Sequence, residues 1–102
     1  MVRVLVLPAE GLAEIRDLED EGLEALQHLV GGDIEELHFD GGLMIMNTDG
    51  RSLKLPINRL ATSFVGRTIL GDVVVCGGAD EDGQLLPYQA TDGPQGGPVK
   101  GI

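Results

Sequence analysis

Arg51, Lys54, Arg59 and Arg67 stand in a stretch with no acidic residue between Asp49 and Asp72. Cations without local carboxylates are the raw material of an anion site. A guanidinium offers paired N–H donors that match a phosphate or a carboxylate. Within the same stretch Pro56 suits the first position of a helix. A helix starting there leaves backbone N–H groups near Asn58 and Arg59, where negative charge is favoured. The candidate ligand-binding residues are therefore Arg51, Lys54, Asn58, Arg59 and Arg67. The ligand class they suggest is a small anion such as a nucleotide. Charge balance explains the same residues differently: they offset the acidic half of the chain, within the domain or across a dimer, through exposed pairs that contribute little.

No constellation for catalysis is visible. A triad needs a nucleophile, a base and an orienting acid. His28 falls on a helix surface and His38 on a strand, and neither has an evident partner. Cys76 ends an apolar run and reads as a small core residue. A single thiol neither closes an internal disulfide nor builds a zinc site. His28 and His38 with Glu35, Glu36 or Asp40 match no established zinc spacing. Asp80-Glu81-Asp82-Gly83 lacks the alternating oxygen ligands and closing Glu of a calcium loop, so it reads as a solvated turn. Gly31-Gly32 follows a helix C-terminus, whose dipole repels anions. Gly77-Gly78 follows a strand, but no helix comes after it as in a phosphate loop. The sequence thus implies no catalytic residue, metal or cofactor, and a non-enzymatic role.

The net charge is −10, and eleven of the seventeen acidic residues lie within residues 10–40. This disfavours direct contact with nucleic acid, which is bound largely through Lys and Arg, and with anionic membranes. Solubility accounts for the charge simply. A sharper alternative is an acidic interaction module, a DNA-mimic-like inhibitor that blocks a basic host nucleic-acid-binding or defence protein. The opening MVRVLVLPAE is one strand long and lacks the features of a signal peptide. No segment approaches the roughly 20 apolar residues that span a bilayer. A cytoplasmic protein, alone or as a homo-oligomer, is the expectation.

The elements that position these side chains follow from periodicity. The chain has 102 residues, 42% of them hydrophobic, which suits one folded domain. Phe39, Phe64 and Tyr88 are its aromatics, so the core must be aliphatic. Residues 2–7 read as a buried strand closed by Pro8. Gly11 marks a turn, and residues 13–18 suggest a second strand with Ile15 inward. Residues 20–30 read as a helix, with Glu19, Asp20 and Glu21 crowding its start. Leu23, Leu26 and Val30 form its core stripe, flanked by Leu29, and Gly31-Gly32 stops it. Residues 34–39, the turn at Asp40-Gly41-Gly42 and residues 43–46 read as a hairpin. Asn47-Thr48-Asp49-Gly50 turns into a short strand at residues 52–55. Pro56 then opens a short helix through Phe64, with Ile57, Leu60, Ala61 and Phe64 on one face. Residues 69–76 read as a strand broken at Gly71-Asp72, with Val73, Val74 and Val75 buried on both faces.

The expected fold is α+β. A mixed, mostly antiparallel sheet of about five strands carries the main helix on one face, with the short helix closing an edge. Residues 1–90 form the domain. Residues 91–102 form a flexible Gly/Pro-rich tail.

Several of these segments together resemble a family. Leu26-Gln27-His28-Leu29-Val30-Gly31-Gly32-Asp33-Ile34-Glu35 is similar to the hallmark of the domain-of-unknown-function family 3846. Two further features match: Asn47 to Gly50 followed by Leu55, Pro56, Asn58 and Ala61, and a late strand at Gly71 to Val75. The resemblance covers roughly residues 2–79 and excludes the Gly/Pro tail. It implies a short stand-alone domain of bacteria, phages and mobile elements, with no assigned activity and no catalytic residues to transfer.

Overall fold

Short runs of Val, Leu and Ile give strands, because branched side chains pack well on a pleated surface. In the computed structural model, which describes residues 1–20 and 22–89, these runs are β1 (Val2–Leu7), β2 (Glu14–Leu18), β3 (Ile34–Phe39), β4 (Gly42–Asn47) and β5 (Val73–Cys76). They form one sheet in the order β2-β1-β5-β4-β3. Every neighbouring pair is antiparallel, so the expected mixture does not occur. Register is set by the two-residue period: Val2 faces Leu18, Leu5 faces Val75, and Met44 faces both Val75 and Leu37.

Two helices cover the sheet. α1 (Leu23–Val30) is built from strong helix formers and ends at Gly31, whose φ of 84° is left-handed and whose N–H reaches the Gln27 carbonyl at 2.8 Å. It lies over Val2, Val4, Leu18, Leu43, Ile45, Val74 and Cys76. α2 (Arg59–Val65) belongs to the opposite layer, where Ala61, Phe64 and Val65 meet Leu5, Leu7, Met44, Met46, Val73 and Val75. The short helix thus covers the second face rather than closing an edge. β4 and β5 run between two apolar layers, which is why both read as continuous apolar runs.

Four expectations need correction. The main helix starts at Leu23 rather than residue 20, and Leu23 is 58% exposed instead of lying in the core stripe. Ile15 is 47% exposed, because β2 is an edge strand whose outer half no helix covers. Residues 52–54 are turns, and Leu55 belongs to no strand, so the expected short strand does not form. Their amides bond locally, Leu53 N–H to the Asp49 carbonyl and Leu55 N–H to the Gly50 carbonyl, so no ladder partner is needed. Pro56 precedes α2, which starts at Arg59 behind the cap residue Asn58; Ile57 instead bridges to Leu70.

The sequence reading missed a second small sheet, β6 (Gly78–Ala79) with β7 (Leu85–Leu86). The Asp80 carboxylate closes its turn by accepting from the N–H groups of Asp82 and Gln84. The chain then returns to the sheet, where Tyr88 N–H bonds the Arg3 carbonyl at 2.8 Å. The tail assigned to residues 91–102 lies outside the described residues.

Candidate functional site

Two buried asparagines organise the surface around the basic segment. Asn58 is 1% exposed. Its Nδ2 donates to the carbonyls of Leu7 and Gly71, each at 2.8 Å, and its Oδ1 accepts from Ala61 N–H at 3.0 Å. One side chain therefore caps α2 and ties it to the end of β1 and the approach to β5. Asn47 is likewise buried. Its Nδ2 donates to the Val30 carbonyl at 3.2 Å, satisfying the end of α1, and its Oδ1 accepts from Asp49 N–H at 2.7 Å. The asparagines that carry the family resemblance are thus joints of the scaffold. Asn58 has both amide hydrogens and its carbonyl oxygen engaged by backbone groups.

The cations divide between two grooves. Arg51 and Arg67 line the first, a cavity of about 110 Å³ shared with Thr48, Thr68, Asn47 and Glu35. It forms where the turns after β4 meet the segment leading from α2 to β5. Arg67 Nη2 lies 3.9 Å from Glu35 Oε2, and Thr48 Oγ1 donates to Glu35 Oε1 at 3.1 Å. Arg59 and Asn58 line the second groove, of about 350 Å³, between the β1–β2 loop and the start of α2. Lys54 lines neither; it sits in the intervening turn with a left-handed φ of 57°. Among the described residues, Arg51, Lys54 and Arg59 make no ion pair. The structure therefore brings Arg51 and Arg67 together and places Arg59 elsewhere.

Glu35, Thr48 and Thr68 escaped the sequence reading. Their meeting with Arg51 and Arg67 depends on the β3–β4 pairing, in which Glu35 stands opposite Met46 on the α2 side. The acidic spacing along residues 33–36 carries no trace of a cation more than thirty residues away.

Carboxylates within residues 10–40 stand on both edge strands of the sheet as well as on α1 and in loops. Glu14 and Asp17 are on β2, whereas Glu35 and Glu36 are on β3. Four strand spacings, about 19 Å, separate those edges. On β2, Arg3 Nε bonds Asp17 at 3.0 Å and Arg16 bonds Glu14 at 3.2 Å. The hydrogen bond from Arg3 holds the Asp17 carboxyl below its ordinary value. Desolvation raises the Tyr88 phenol.

His28 and His38 are exposed, and Cys76 is buried with its Sγ 3.4 Å from the Gly78 carbonyl oxygen. Among the described residues, no group of three or more His, Cys, Asp or Glu is placed to hold a metal ion, and no helix is long and apolar enough to cross a membrane.

These features define a small α+β domain: an antiparallel sheet between two helices, with Arg51, Arg67 and Arg59 lining surface grooves. The chain belongs to the family described as Domain of unknown function (DUF3846), whose model matches residues 2–92. The match extends past the segments that carry the resemblance and takes in the β6–β7 hairpin. Comparison with curated proteins and with solved structures finds no match.

Proposed function

We propose that this protein is a non-enzymatic accessory domain that binds a small anionic ligand through Arg51 and Arg67. One observation carries the reading: the fold brings two arginines sixteen positions apart into one groove, flanked by the hydroxyl-bearing Thr48 and Thr68. Guanidinium and hydroxyl donors around a small hollow suit a phosphate or carboxylate. A water molecule claims about 30 Å³ of liquid. The cavity of about 110 Å³ therefore has room for a phosphate group, and the rest of a nucleotide would extend over the outer surface. Glu35 takes the place of an anion beside Arg67, holding it loosely at 3.9 Å. An incoming phosphate displaces it. The phage or mobile-element setting is supported by the family resemblance. Docking of a basic host protein gains less support, because the carboxylates of β2 and those of β3 stand on opposite edges of the sheet.

Thermal unfolding with inorganic phosphate, AMP and ATP at low ionic strength tests the reading. Ligand at about 100 times its Kd stabilises the fold by ~2.7 kcal/mol. The shift is expected to vanish in Arg51→Gln and Arg67→Gln and to grow in Glu35→Gln, which removes the competing charge. No shift with any of the three ligands, or an undiminished shift in both arginine variants, contradicts the proposal.

A further inference from the structure

The groove between the β1–β2 loop and α2 has a different chemistry. Its cavity is about 350 Å³, within the range of small-molecule sites. Leu7, Pro8, Pro56, Ile57 and Leu60 supply apolar walls. Ile57 and Leu60 are 57% and 46% exposed, an apolar surface with no cover among the described residues. Two charged side chains of opposite sign, Glu10 and Arg59, line the same groove. Neither forms an ion pair among the described residues, with one another or with any other group.

The walls are held firmly. Asn58 ties the start of α2 to the Leu7 carbonyl at 2.8 Å. On the other side, Ala9 N–H bonds the Asp72 carboxylate at 2.8 Å, which fixes the loop after β1. Two prolines, Pro8 and Pro56, restrict the backbone on either side. A groove of fixed shape costs a ligand little to organise.

We propose that this groove is a second binding site, for a zwitterion with an apolar body: a free α-amino acid with an aliphatic side chain. The Arg59 guanidinium takes its carboxylate, the Glu10 carboxylate takes its ammonium, and Ile57 and Leu60 cover the side chain. A simple anion would meet Glu10 as a like charge. A purely apolar ligand would leave both charges without partners and partly desolvated. A second copy of the chain fits less well, because a concave groove needs a protruding occupant and each copy carries a net charge of −10. The site uses none of the residues of the Arg51–Arg67 groove, so either proposal can fail without the other.

NMR titration of the full chain with L-leucine, N-acetyl-leucine and leucinamide tests the assignment. Leucine is expected to shift the amide signals of Glu10, Ile57, Arg59 and Leu60. Blocking either end of the ligand should weaken binding by about tenfold, the usual scale for losing one charge-assisted hydrogen bond. Arg59→Gln and Glu10→Gln should each weaken leucine to a similar degree, with Arg59→Gln no longer distinguishing leucine from leucinamide. Absence of leucine shifts, or equal binding of the blocked analogues, overturns the proposal. Self-association that disappears in Arg59→Gln overturns it too, by giving the groove to a second copy.

Discussion

At the scale of single residues, Asn58 shows how a side chain chosen for chemistry turns out to be architecture. Its place after Leu55-Pro56 suggests a polar group at a helix start, and Asn58 does cap α2. The sequence does not reveal that the carbonyls of Leu7 and Gly71, 51 and 13 positions away, converge on the same amide. Asn58→Ala removes the cap and leaves two buried carbonyls without their donor. A cap is worth about 1 kcal/mol, and each orphaned buried group costs about 1–3 kcal/mol. Urea unfolding should show a loss of about 3 kcal/mol or more, and a loss below about 1 kcal/mol would contradict this role. Asp17 gives a second residue-level expectation. Its folded value lies below the ordinary 3.8 because Arg3 bonds the charged form. The resulting stabilisation is fully present above about pH 4 and is lost as pH falls through the folded value. In a carboxyl NMR titration, Asp17 should protonate at lower pH in the native protein than in Arg3→Ala. Coincident midpoints would show that the pair is absent in solution.

Among the elements, periodicity was a good guide wherever burial enforced it. β1, β4 and β5 lie in the middle of the sheet, and their apolar runs mark them plainly. The edge strand β2 and the segment of residues 52–55 were harder to read. At an edge only one flank is paired, so a residue such as Ile15 remains exposed without destroying the strand. The stretch of residues 52–55 has a strand-like alternation, but local hydrogen bonds satisfy its backbone first. The β3–β4 hairpin carries a testable requirement. Gly42 has a φ of 139°, and a Cβ there would collide with the Cys76 carbonyl oxygen on β5. Gly66, at the end of α2, has a φ of 77° with open space around it. Gly66→Ala should therefore cost only the left-handed penalty, about 1–2 kcal/mol. Gly42→Ala adds a backbone collision and should be markedly more destabilising in the same urea experiment. Equal losses would mean that the hairpin is free to move away from β5.

For the whole molecule, the charge layout separates what sequence can give from what only the fold supplies. The acid-free stretch around residues 50–71 was legible, and Arg51, Lys54, Asn58, Arg59 and Arg67 stood in it as one group of candidates. The division of Arg51 and Arg67 from Arg59 was not legible, because Arg59, at the start of α2, lines a groove with Glu10 that neither Arg51 nor Arg67 lines. Four of the acidic residues separate similarly: Glu14 and Asp17 stand on one edge strand, and Glu35 and Glu36 on the other, although the linear run of residues 10–40 shows them as one. The central claim is that Arg51 and Arg67 form a working anion site. Amide NMR mapping with AMP at low ionic strength tests it most directly. Shifts concentrated at Thr48, Arg51, Arg67 and Thr68, and lost in an Arg51→Gln, Arg67→Gln double variant that keeps the native spectrum, are the predicted result. A spectrum unmoved by AMP, or shifts unchanged in the double variant, would contradict the account.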